Sequence, residues 1–396
     1  MLESIELFTG AGGLALGTHA AGFRHKALVE WNADACATIR TNAATRAIPG
    51  ISDWNVVEAD ARSVDFERFA PVDLVAGGPS CQPFSIGGKH RGTDDDRNVI
   101  PEFVRAVRTL MPRAFVFENV RGLTRPAFAT YFAYVVLELT HPDVVRRKGE
   151  SWTDHHGRLE KIHTAGKGGG LRYNVVHRVF NAADYGVPQV RHRVFVVGFR
   201  EDTGLEWNFP KATHSLDALL HSQFVDKTYW DRHGLRAPKA TPQWLDPRLA
   251  GRIRPMMAFS RPWQTVRDKI SDLPAPRSDR DAIGFLNHRL IPGARSYAGH
   301  TGSLLDMPSK TLKAGAHGVP GGENMIANLD GSVRYFTVRE AARMQTFPDQ
   351  WRLEGAWSEV MRQIGNAVPM ELAKVVAKSV ANALRDAQGS GSATRV

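Results

Sequence analysis

Cysteine is scarce in this sequence: Cys36 and Cys81 are the two among 396 residues. Two thiols exclude a disulfide scaffold and a cysteine-rich zinc module, and they fit a reducing compartment. No metal site is read from the chain. Long apolar runs are missing too: no stretch of 18 apolar residues occurs, so no membrane-spanning helix is expected. The opening MLESIELFTGAGG is acidic and runs straight into a strand pattern, unlike a secretory signal. Negative charge is in deficit, 41 Asp and Glu against 51 Lys and Arg. That balance suits a polyanion partner, although a basic solvated surface alone would produce it.

The remaining composition, 42% hydrophobic and 23% charged, is that of a globular protein with a sizeable core. At roughly 150 residues per domain, two domains are expected. Short β-rich runs at 4–8, 26–31, 56–60, 73–78 and 114–120 alternate with helical periodicity at 32–45 and 100–110. Such alternation predicts an α/β, doubly wound, mostly parallel sheet. Runs at 173–180 and 193–198 are expected to close it with an antiparallel edge. Residues 143–170 are polar and read as a surface loop or insertion. Beyond Arg200 the rhythm stops. Residues 201–335 are rich in Pro and Gly and read as an irregular second domain, with Trp207, Trp230, Trp244 and Trp263 forming a small core. Helical periodicity returns at 369–387, where Leu372, Val375, Val376, Val380 and Leu384 need the sheet domain to bury against.

Chemistry concentrates at the carboxyl ends of the expected strands. Phe8-Thr-Gly-Ala-Gly-Gly-Leu14 follows the first strand, and its glycines allow a tight turn close to a ligand. Glu30 ends the second strand, where a carboxylate takes the hydroxyls of a ribose, and Trp31 offers an indole to an adenine. Asp60 ends the third, although an isolated Asp there is more often a helix cap. Gly10-x-Gly12-x-x-Ala15 also satisfies the dinucleotide fingerprint, so an NAD dehydrogenase stays open at this point. Gly77-Gly-Pro-Ser-Cys81-Gln-Pro-Phe-Ser85 follows the fourth strand. A lone cysteine is usually inert core. This one stands between prolines in a glycine-flanked loop just past a strand end, where rigid backbone fixes its sulfur. Glu118 ends the fifth strand, adjacent to the fourth, so a carboxyl and a thiol are expected to share one crevice.

With these motifs the chain resembles the DNA (cytosine-5)-methyltransferases of bacterial restriction-modification systems. In order along most of the chain stand FTGAGG, the pair Glu30-Trp31, GGPSCQPFS, ENV at 118–120, QVRHR at 189–193, REAARMQTFP at 339–348 and GNAVP at 365–369. Ser80 departs from a common proline and Ala367 from a frequent serine; the second costs one cofactor hydrogen bond.

The resemblance implies a Rossmann-like fold binding S-adenosylmethionine and no metal. It implies that Phe8, Gly10, Ala11, Gly13, Leu14, Glu30, Trp31, Asp60, Ala61, Pro79, Ile100 and Asn366 contact that cofactor. Cys81 is then the nucleophile, Glu118 the acid at ring N3, Arg193 a contact to the base, and Arg191 a support of the same strand. Without the resemblance, Arg191 and Arg193 read as a surface strand and Asn366 as a residue in a helix N-terminal turn. The target cytosine flips out of double-stranded DNA, and the 82–97 stretch closes over it with Gln82, Ser85 and Arg91 at the DNA. Residues 1–200 with 362–388 become the catalytic and cofactor domain, 201–361 the target-recognition domain with its hinge, and 389–396 a tail. The expected protein is a monomer in the cytoplasm, associated with the nucleoid through DNA and with a cognate restriction endonuclease acting separately. Two alternatives remain: the same chemistry on tRNA, and a catalytically silent DNA-binding regulator.

Overall fold

The computed structural model describes residues 1–79, 98–166, 170–239, 260–297, 301–314, 324–328 and 330–393, with side chains up to 387. Seven strands form the central sheet: β1 Leu2–Leu7, β2 Phe23–Glu30, β3 Val56–Glu58, β4 Leu74–Gly77, β5 Ala114–Val120, β6 Tyr173–Asn181 and β7 His192–Arg200. Their order is β3-β2-β1-β4-β5-β7-β6. β1 to β5 pair in parallel, and β7 runs antiparallel to both of its neighbours. The antiparallel strand is therefore inside the sheet, and β6 is the edge. The order reverses between β1 and β4, which opens a crevice at the carboxyl ends of those strands.

Helices follow from the sequence at named caps. α1 is Gly13–Ala20 and α2 is Ala33–Ala44, where the Asn32 side chain accepts from the Ala35 N–H. α3 is Ile100–Leu110, α4 Ala129–Thr140 and α5 Trp152–Ala165. α5 corrects the expectation of a surface loop at 143–170. Its sequence is polar, with His155 and Leu159 its buried residues, so little apolar periodicity betrays it. Ser151 caps it, and Trp152 packs edge-on against Tyr131 of α4.

Alternate residues of β4 and β5 feed two cores, as expected for a sheet covered on both faces. Val75, Phe115 and Phe117 pack under α3 and α4. Leu74, Ala76, Ala114 and Val116 pack under the C-terminal helix Met370–Ala393, with Leu372, Val376, Val380 and Leu384. A third cluster joins α1 and α2 to residues 336–367, with Trp351 fully buried in it. Residues 201–335, where described, carry short strands and helices around Leu219, Tyr229 and Trp230, with Trp263 against them. Trp207 instead joins the C-terminal helix, donating to Ser379 Oγ at 2.9 Å.

The C-terminal helix lies so close to α1 that side chains are excluded between them. A Cβ on Gly17 would stand 2.4 Å from Ala373 Cβ and 2.6 Å from the Lys374 backbone N. In an exposed helix Gly→Ala gains about 1 kcal/mol. Here the obstacle is backbone, and separating the helices costs about 1–3 kcal/mol. Gly17→Ala is therefore expected to lower the urea midpoint; a raised midpoint would contradict this packing.

Candidate active site

β1 ends in a turn that an ordinary side chain enters reluctantly. Phe8 has φ 59°, Gly10 φ 56° and Gly12 φ 89°. No heavy atom lies within 4 Å of where a Gly10 Cβ would be, so that backbone face is open. Glu30, 7% exposed at the end of β2, anchors the turn. Its carboxylate accepts the Gly10 N–H at 2.7 Å, the Trp31 N–H at 2.9 Å and the Asn32 N–H at 2.8 Å. Three of its roughly four lone-pair directions are thereby used, leaving room for a further donor. Trp31 beside it is 75% exposed.

The other residues expected at the cofactor fall into two groups. Ala11, Leu14, Ala61 and Ile100 are buried, as is Gly13, whose Cβ would meet the Val368 carbonyl at 2.2 Å. Asp60 caps the turn Ala61–Ser63 through the Arg62 N–H at 2.9 Å and pairs with the Arg62 guanidinium. Its cap role is thus real, and with its side chain 44% exposed it also faces solvent. Asn366 is exposed as the last residue of the helix Trp357–Asn366, not in an N-terminal turn.

Across the crevice, β4 and β5 pair with Gly77 opposite Phe117, which sets Gly78 against Glu118. A Cβ on Gly78 would come within 2.8 Å of Glu118 Oε2, so the carboxyl occupies the space that the glycine leaves. Pro79 is buried, and its carbonyl accepts from Asn119 Nδ2 at 3.2 Å. On the other side Val120 pairs with Arg193, which puts Glu118 and Arg193 diagonally on one face of the sheet. Arg193 Nε lies 2.8 Å from Glu118 Oε1, yet no N–H is aligned on that oxygen. Both groups are about nine-tenths buried. Burial pushes the Glu118 pKa above the usual carboxylate range, and the cations of Arg193 and Arg191 pull against it. Burial wins, favouring the protonated acid.

Arg191 is fully buried, so the surface-strand reading of Arg191 and Arg193 is overturned. Its guanidinium donates to Leu312 O at 3.0 Å, Gly365 O at 2.6 Å and Ala367 O at 3.0 Å. Gln189 adds a bond to the Met344 carbonyl, and Gln345 bonds the carbonyls of Ile364 and Ala367. These contacts tie the start of β7 to the segment that carries Asn366. Asn119, Gly78, Gln345 and Trp351 were not singled out from the sequence. Asn119 and Gln345 lie within the quoted motifs, whereas the Trp351 bond to Ala11 spans 340 positions and has no local signal.

Cys81, Gln82, Ser85 and Arg91 lie outside the described residues. Cys36 is described, fully buried on α2. Burial, aided by the Glu30 and Glu58 carboxylates, pushes its thiol up to about 12, which leaves almost no thiolate near neutrality. Among the described residues, no cluster of three or more His, Cys, Asp or Glu could hold a metal, and no helix is long and apolar enough to cross a membrane.

A doubly wound sheet with a glycine turn, a carboxylate that anchors the turn and a buried acid, all along its carboxyl edge, has the layout of an α/β enzyme whose ligands bind at that edge. The chain belongs to the C-5 cytosine-specific DNA methylase family, which it matches over residues 2–141 and 153–382, and it is a methyltransferase. It is 33% identical over 389 residues to the type II methyltransferase M.Eco47II of Escherichia coli, covering 96% of this chain and 79% of that one. With the type II methyltransferase M.NgoMIV of Neisseria gonorrhoeae it shares 30% over 386 residues, covering 96% and 98%. Two solved structures share the fold. One is a putative DNA modification methyltransferase from an E. coli prophage, with TM-score 0.55, 21% identity and coverage of 97% and 100%. The other is a mutant of Spodoptera frugiperda DNMT2, with TM-score 0.59, 15% identity and coverage of 96% and 99%.

The opposed influences on Glu118 can be separated. Arg193→Ala removes the larger pull toward ionisation and should raise the Glu118 pKa further. Carboxyl titration by 13C-glutamate NMR, assigned with Glu118→Gln, reads it. A lowered pKa in Arg193→Ala would contradict the pairing.

Proposed function

We propose that the chain methylates C5 of cytosine at specific sites in double-stranded DNA, protecting host DNA beside a separately acting restriction endonuclease. The observation that carries this is Glu118: a buried, protonation-prone carboxyl lodged over Gly78, three residues before Cys81. A carboxyl whose pKa burial raises suits an acid that donates a proton to a ring nitrogen of cytosine.

The glycine turn fits S-adenosylmethionine. The open backbone at Gly10, the spare acceptor direction of Glu30 and the exposed Trp31 indole suit its amino-acid moiety, ribose and adenine. Phe8, Ala11, Gly13, Leu14, Asp60, Ala61, Pro79, Ile100 and Asn366 complete that set. Bound S-adenosylmethionine supplies the methyl group that C5 takes.

The protein's own groups do the rest. The Cys81 thiolate forms a bond to C6, and the C5–C6 π pair shifts into the ring toward C5 and N3. Glu118 gives its proton to N3 and so stabilises that charge. Arg193 holds the base while keeping the Glu118 pKa from rising too far to donate. After C5 gains its methyl, its proton leaves to water. The sulfur departs from C6, the double bond reforms, and the N3 proton returns to Glu118. Arg191 supports the strand that carries Arg193.

The base reaches these groups by leaving the helix, at a cost of a few kcal/mol. Gln82, Ser85 and Arg91 contact the DNA there. Residues 201–361 read the sequence, and their 201–335 portion carries 18 Lys and Arg against 14 Asp and Glu. The enzyme works as a cytoplasmic monomer on the nucleoid.

Methyl transfer from tritiated S-adenosylmethionine should label duplex DNA and leave tRNA unlabelled. Bisulfite sequencing of DNA from expressing cells should then show 5-methylcytosine at one recurring sequence. Label on tRNA alone would assign the chemistry to RNA, and label on neither would favour a silent regulator.

A further inference from the structure

We infer that Trp351 is a positioning residue for the cofactor turn, holding the Ala11 carbonyl through its indole N–H. The inference rests on the reading of that turn as the S-adenosylmethionine site. Trp351 is fully buried, and its Nε1 donates to Ala11 O at 3.2 Å. Ala11 stands between two left-handed glycines, Gly10 and Gly12. Glycines give the backbone its freedom, so the shape of the turn must be imposed from outside. Glu30 pins one side through the Gly10 N–H. Trp351 pins the other, and its ring fills the space beside Gly12, where a Cβ would meet Cζ2 at 3.2 Å.

The indole is itself held in place. It stacks on Phe347 at an interplanar angle of 18°, and the Trp351 carbonyl accepts from Arg339 Nη2 at 2.8 Å. Arg339 is fully buried and also donates to the Pro348 carbonyl at 3.1 Å. A residue chosen only to fill the core would need no N–H. A buried N–H demands an acceptor, and here the acceptor belongs to the turn. Trp54 offers the contrast within the same cluster: its ring lies 6.1 Å from that of Trp351, but it faces His19 and His25 rather than the turn.

Trp351→Phe keeps a ring and removes the N–H. In the full-length enzyme it should weaken S-adenosylmethionine binding roughly five-fold by calorimetry, the scale of one hydrogen bond. KM for the methyl donor should rise in step, with KM for DNA and kcat at saturating donor unchanged. Trp54→Phe trims an equivalent indole and should leave donor affinity within about two-fold while costing similar stability. Arg339→Lys, which loosens the Trp351 carbonyl, should shift donor affinity in the same direction and serves if Trp351→Phe does not fold. Glu30→Ala tests the underlying site. Weakened binding in Glu30→Ala with unchanged affinity in Trp351→Phe overturns the positioning role and leaves the cofactor reading standing. An equal loss in Trp54→Phe also overturns it, because general loosening of the core would then suffice. Unchanged affinity in Glu30→Ala removes the cofactor reading and this inference with it.

Discussion

A carboxyl group held out of water beside a cation, without being fully neutralised by it, is the constraint around which this site is built. Glu118 has room only because Gly78 has no side chain. It meets Arg193 only because β7 enters antiparallel next to β5. Burial alone would leave an acid too weak to ionise at all, and a well-aligned ion pair would leave one always ionised. The 2.8 Å approach without an aligned N–H lies between those limits. The same β4 exit is steadied by Asn119 on the Pro79 carbonyl, so the acid and the chain leading to Cys81 share one support.

Buried arginines do a second kind of work. Arg191 and Arg339 are fully buried cations whose donors end largely on backbone carbonyls. Burying such a charge is expensive unless its N–H groups are satisfied. When most of them are, as for Arg191, whose two terminal nitrogens are bonded while its Nε is not, the donors of one planar guanidinium fix several loops at once. Arg191 ties β7 to residues 312, 365 and 367, and Arg339 ties residues 286, 348 and 351 together. Segments distant in sequence are thereby drawn onto the sheet's carboxyl edge.

The sheet was legible wherever pattern is local. The run at 114–120 and the helix at 100–110 appear with those same bounds, because apolar periodicity and strand-ending polar residues coincide there. The α5 helix escaped because its buried face is two residues wide and its composition is that of a loop. The order of β6 and β7 was equally hidden, since two adjacent apolar runs do not say which one pairs with β5. At the site, glycines and carboxylates at strand ends were visible from spacing. The burial of Arg191 was not, because its acceptors are carbonyls up to 176 positions away that carry no side-chain signature. Cys36 and Cys81 look alike as letters; burial of Cys36 beside two carboxylates separates them.

The central claim is that a sulfur bond to the base, assisted by Glu118, precedes methyl transfer. Fluorine at C5 of the target blocks the final proton loss, because F⁺ cannot leave, and so traps the bonded state. With S-adenosylmethionine and duplex DNA containing 5-fluorocytosine, the account predicts an adduct stable to denaturing gels. Its peptide mass should map to Cys81, and it should be absent from Cys81→Ser. An adduct that persists in Cys81→Ser, or maps to Cys36, would contradict it.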